Sequence, residues 1–221
     1  MPTSPAALLL LADGRFPSGG YAHSGGVEPS IMAGRVHDIS SLEAFLRGRA
    51  ATSGVVAAAF AAAACGTADP GRLHALGLEL DARLPSPAVR AVSRALGRQL
   101  ARAAARVRPH SRLAELDDDA HQPIVLGVAA SVFDLSPRDA ALWALHENVV
   151  GPATAAVRLL SLDPFHVHAI LANLTGLLDE LADHATRYVD APVAELPAAN
   201  APLLDIAAEH HAREAVRLFA S

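Results

Sequence analysis

At Asp69-Pro70, Ser86-Pro87 and Ser136-Pro137 this chain sets a proline directly behind a serine or an aspartate. Each pair marks a helix start. The Ser or Asp side chain accepts from an orphan N–H of the first turn, where proline's missing N–H costs nothing. Around these marks apolar residues recur at three- and four-residue intervals, and no stretch alternates apolar and polar residues between hairpin turns. The pattern restricts the chain to an all-α fold. One single-domain helical bundle of about eight to ten helices is expected over residues 1–221, with no internal repeat.

The expected segments follow from caps and breakers. A short helix over residues 6–12 is broken by Asp13-Gly14 and Pro17, and a second runs from about Ser24 to Gly34 with Pro29 in its first turn. Ser40 and Glu43 form a capping box for a third helix from Ser41, and Gly54 divides it from the alanine-rich stretch 55–65. Further helices are expected over 70–83, 87–107, 122–135, 136–150, 152–162, 164–187 and 203–219. Residues 191–202 hold three prolines and read as extended.

Hydrophobic residues make up 52% of the chain and charged residues 19%, which excludes a disordered polymer and leaves apolar surface for partners. The formal charge of −5 argues against nucleic-acid binding. A lone cysteine, Cys65, forms no internal disulfide and no zinc knuckle, so a reducing compartment is expected. The start lacks a secretory signal, and the most apolar run, 55–65, is too short to cross a bilayer. A cytoplasmic protein without membrane contact is the expectation.

Four features could carry chemistry or binding. The first is FPSGGYAHSGGVE, residues 16–28. A phosphate loop needs a lysine, and the chain has none; a nucleophile elbow needs GxSxG, and Ser24 lies in AHSGG. Catalysis by His23 and Ser24 is the weakest reading. A glycine-rich bend between helices and a docking surface both remain open. The second feature is the eleven histidines. His166 and His168 on a helix diverge by about 200°, His210 and His211 also diverge, and no pair has the HExxH spacing. Scattered surface histidines explain them, with weak nickel binding as the sharper alternative. The third is an arginine ladder, Arg90, Arg94, Arg98, Arg102 and Arg106, which winds only about 40° per step. It is either a solvated face balanced by acids such as Asp117, Asp118 and Asp119, or a contact for an acidic partner. The opposite face, with Val89, Val92, Leu96, Leu100 and Val107, is core. The fourth is the terminal helix, whose Phe219 is either tucked into the core or held by a second chain.

Taken together, four stretches resemble the urease accessory protein UreF family. The opening LLLLADGRFPSGGYAHSGGVE is similar to its signature S-D-x-x-x-P-x-G-G-[FY]-x-H-S-x-G-[LV]-E, through Pro17, Gly19, Gly20, Tyr21, His23, Ser24, Gly26 and Glu28. RAVSRALGR resembles R-x-x-S-x-x-x-G-[RK] through Arg90, Ser93, Gly97 and Arg98. HQPIVLG and ATAAVRLLSL supply His121, Gly127 and Arg158. The ending is similar through Pro202, Asp205, His211, Arg217, Leu218, Phe219 and Ser221. After Leu159 the chain departs from the family's P-L-G-Q-like turn.

The resemblance implies an all-α accessory protein without catalysis of its own and without a tightly bound cofactor. It implies a homodimer that binds UreD (also called UreH), recruits the UreG GTPase and docks on apo-urease, with nickel handled transiently by the complex. The matching residues just named, apart from His121, Gly127, Pro202, Asp205 and Ser221, become the candidate partner-binding set, with no catalytic or metal residue. The alternative is a small histidine-dependent metal-binding protein or a serine hydrolase.

Overall fold

The computed structural model describes residues 4–214, and these are helical without a strand. In chain order they form α1 (Pro5–Leu11), a 3₁₀ turn (Gly20–Ala22), α2 (Val27–Met32), α3 (Ile39–Arg49), a π-helical turn (Ala50–Gly54), α4 (Val55–Gly66), α5 (Pro70–Arg83), α6 (Pro87–Val107) and α7 (Ser111–Ala114). Then come α8 (Gln122–Val132), α9 (Pro137–Leu160), α10 (Pro164–Thr186), a 3₁₀ turn (Val193–Glu195) and α11 (Pro202–Ala212).

The proline-marked starts stand where the sequence puts them. Asp69 accepts from the Gly71 N–H at 2.9 Å, and Ser86 Oγ accepts from the Val89 N–H at 3.2 Å. Ser136 and Asp139 close a reciprocal capping box. Asp163-Pro164 is a fourth such start, with Asp163 accepting from the Phe165 N–H at 3.0 Å.

Three expected boundaries move. The capping box of α3 belongs to Asp38 and Ser41, not Ser40 and Glu43: Asp38 Oδ1 accepts from the Ser41 N–H at 2.8 Å, and Ser41 Oγ accepts from the Asp38 N–H at 3.0 Å. A carboxylate two residues earlier takes the role and starts the helix at Ile39. Gly54 divides nothing, because its backbone is helical (φ −65°, ψ −48°) and the π turn carries α3 into α4. The joined helix of 28 residues, Ile39–Gly66, is the one among the described residues that is long and apolar enough to cross a bilayer; 67% of its most apolar window is buried inside the protein. Finally, α9 runs unbroken through Pro152 where two helices are expected. The carbonyl that proline leaves without a partner, at Asn148, accepts instead from Arg49 Nε at 3.0 Å.

The core is built on α4. Ala58 to Ala64 are completely buried, an apolar surface on all sides that belongs in a centre. Small alanines let α8, α9 and α10 pack closely around it. Trp143 and Leu145 of α9 and Leu126 of α8 fill the larger gaps. A smaller cluster of Phe60, Leu76, Leu80, Ile124 and Leu196 seats α5. The last described helix, α11, lies across α6 and α2, which brings residues 202–212 against residues 27–32.

Candidate partner-docking site

Four glycines in the opening region, Gly19, Gly25, Gly26 and Gly34, adopt positive φ, and the first three turn the segment before α2 back on itself. Gly25 shows why no side chain is tolerated. At φ +57° a Cβ would lie 2.8 Å from Pro152 Cγ and 3.4 Å from Arg49 Nη2. The bend therefore presses directly on α9 and on the end of α3.

That bend holds its residues in different environments. Tyr21 is 68% exposed, Pro17 is exposed, and Gly19, Gly20, His23 and Gly26 are half-buried. Ser24 is completely buried, and its Oγ accepts from the Glu28 N–H at 3.4 Å in the first turn of α2. A hydroxyl in that place is a structural group, closed to any substrate, so the serine-hydrolase alternative loses its nucleophile.

The separated stretches meet here. The Arg158 guanidinium of α9 stacks over the Tyr21 ring at 4.5 Å from its centroid. His211 of α11, 1% exposed, places Nε2 3.1 Å from Glu28 Oε2. Gly26 packs against Leu204 of α11, and Gly19 lies against Gln99 of α6. A cavity of about 390 Å³ behind the bend is lined by Tyr21, His23, Gly25, Arg49, Glu147 and Arg158 among others. A second, of about 200 Å³, shares His23, Gly25 and Arg49 and reaches Ser93 of α6 and Leu204 of α11.

The arginine ladder is used differently along its length. Arg90 Nη1 donates to the carbonyls of Leu84 and Pro85, Arg94 pairs with Asp81 at 2.7 Å, and Arg98 pairs with Asp119 at 2.7 Å. Asp81 also accepts from His121, whose imidazole burial holds below its ordinary pKa. Gly97 is a contact of another kind, since a Cβ there would stand 2.1 Å from the Ala120 carbonyl oxygen. The face expected to be core is core at Leu96 and Leu100, half-buried at Val89 and Val92, and 51% exposed at Val107, where the last turn projects.

The histidines do not converge. His166 pairs with the exposed Asp163, His168 bonds the Pro164 carbonyl, and His211 faces inward while His210 is exposed. No group of three metal-binding side chains exists among the described residues. Arg217, Leu218 and Phe219 lie outside the described residues.

Three participants escape sequence reasoning. Glu209 of α11 accepts from Ser86 Oγ at 2.5 Å and from the Ala88 N–H at 2.9 Å, so it caps α6 from 123 residues away. These bonds hold its carboxyl below the usual range. Glu147 accepts from Trp143 Nε1 at 2.9 Å and Gln122 Nε2 at 2.7 Å, while burial pushes its carboxyl up to about 7. Arg49 is the third. The only available signal is Pro152, whose lost hydrogen bond demands a donor from elsewhere.

The UreF family model matches residues 36–175. A protein named urease accessory protein UreF from Mycolicibacterium vanbaalenii is 42% identical over 220 residues, covering 99% of this chain and 100% of the relative. One of the same name from Mycobacterium tuberculosis is 40% identical over 223 residues, again covering 99% and 100%.

Proposed function

This chain belongs to the UreF family of urease accessory proteins, and from that premise we propose that it serves urease maturation as a scaffold, without chemistry of its own. It binds the accessory protein UreD/UreH as a cytoplasmic homodimer. That pair recruits the UreG GTPase and docks on apo-urease, and nickel passes through the complex without being held tightly by this chain.

One observation carries the reading. The stretches similar to UreF lie at opposite ends of the chain and in its middle, yet Tyr21, Arg158, Glu28 and His211 gather around a single bend. Beside it Leu203 is 62% and Ile206 55% exposed on α11, an apolar pair left open by the described residues. An exposed aromatic flanked by apolar groups is the usual anchor of a protein interface. The buried Ser24 and the dispersed histidines count against the hydrolase and metal-carrier alternatives.

Co-expression with UreD/UreH tests it. The full chain is expected to co-purify with that partner, and deletion of residues 217–221 to abolish the complex. A full-length chain that never co-purifies sinks the scaffold reading; a truncated chain that binds at full strength removes only the terminus from the interface. Calorimetry with nickel separates the alternative, because tight stoichiometric uptake by the isolated chain would mark a metal carrier.

A further inference from the structure

Arg49 ends α3 half-buried, where it faces both cavities behind the glycine-rich bend. Its Nε is committed to the Asn148 carbonyl at 3.0 Å. No carboxylate pairs with it among the described residues, and burial pulls the guanidinium down to about 10. The other charged groups lining the larger cavity are engaged. Asp13 is held by Arg15, the Glu147 carboxyl takes two donors from Trp143 and Gln122, and Arg158 sits on the Tyr21 ring.

A half-buried cation whose Nη edge faces a cavity and has no carboxylate beside it is a ready partner for an anion. The outer edge of a guanidinium, with its Nη donors, matches a planar carboxylate in a two-point contact. The surrounding walls are mostly small and apolar, with Ala57, Leu126 and Ala144 among them, and the volume of about 390 Å³ suits a small molecule. Bonding to the Asn148 carbonyl explains why a donor stands here. It does not explain a full charge, since a neutral side chain could donate one N–H.

We infer that the cavity between the glycine-rich bend and α9 binds a small carboxylate on the free edge of Arg49. Gly25 forms part of its roof, where a Cβ would stand 3.4 Å from Arg49 Nη2 and clash with Pro152 Cγ at 2.8 Å. This site goes beyond the scaffold role and does not depend on which partner docks outside.

Thermal unfolding of the full chain in sodium acetate, sodium formate and sodium chloride, at matched ionic strength and pH, tests the site. Acetate and formate are expected to raise Tm saturably, by about 3 °C at ten times Kd, over the chloride baseline. Arg49→Gln is expected to lose the difference between anions, and Arg49→Lys, which keeps the charge without the planar fork, to reduce it. If Arg49→Gln does not fold, Val150→Trp, at a half-buried position of α9 that lines the cavity, is expected to abolish the same difference by taking up its space. Equal stabilisation by all three salts overturns the inference, as does an acetate response that persists in Arg49→Gln or in Val150→Trp.

Discussion

Arg49 Nε lies 3.0 Å from the carbonyl oxygen of Asn148, the acceptor that Pro152, four residues on, cannot reach with an N–H of its own. A side chain at the end of α3 thus repairs a backbone bond in the middle of α9. Replacing Arg49 by Leu removes the donor to that half-buried carbonyl and should cost about 1 kcal/mol or more. In a Pro152→Ala background the restored N–H takes over, so Arg49→Leu should cost measurably less there. Urea unfolding of the four proteins in this cycle decides it, and strictly additive costs would refute the repair.

Glu147 makes stability depend on pH. Burial raises its carboxyl from 4.5 to about 7 in the folded protein, so between those values the folded state holds a proton that the unfolded state releases. Its contribution is fully present below about pH 4.5 and is lost as pH rises through 7. Burial lowers His146 and His121 from 6.5, and these act in the opposite sense below that pH. The comparison with Glu147→Gln isolates the carboxyl. Urea midpoints from pH 5 to 8 should fall more steeply for the native chain than for the variant, and parallel curves would contradict the assignment.

Gly97 sets the distance between α6 and the loop leading into α8. A single methyl group there would meet the Ala120 carbonyl oxygen at 2.1 Å, a backbone atom unable to swing aside. Gly97→Ala is expected to destabilise by about 1–3 kcal/mol through overpacking, with a lower Tm in calorimetry. An unchanged Tm would mean that the two segments are free to separate.

Tyr21 is mostly exposed, so it matters little to the isolated fold. Tyr21→Ala should change stability by less than about 1 kcal/mol, the scale of its stacking with Arg158. As a central interface anchor it should cost about 2 kcal/mol of binding, roughly thirty-fold in Kd for the UreD/UreH complex. Tyr21→Phe should keep most of the affinity. Unaltered complex formation and urease activation by Tyr21→Ala would return the bend to a purely structural role.

The helical fold was legible because helix starts are local. Ser86 and Ser136 cap the helices that follow them, and proline in the next position says so without tertiary help. The same locality misled at Pro152 and Gly54, where packing outweighs propensity: Arg49 supplies the missing donor in one case, and a π turn carries the helix through the other. At the candidate site, Tyr21 and Arg158 stood out as separate motif positions, but their stacking needed the fold. Glu147 and Glu209 had no local signature at all. Their partners, Gln122 and Ser86, are 25 and 123 residues away, beyond any periodicity.

The close approach of His211 Nε2 to Glu28 Oε2, 3.1 Å, brings together α11 and α2, which are far apart along the chain. On the ribosome, α2 emerges early and waits through nearly the whole of translation for its partner to be made. The bend beside it cannot be backed by α11 until that helix has also left the exit tunnel, so a copy cut short before α11 carries the glycines and the tyrosine but lacks the support behind them.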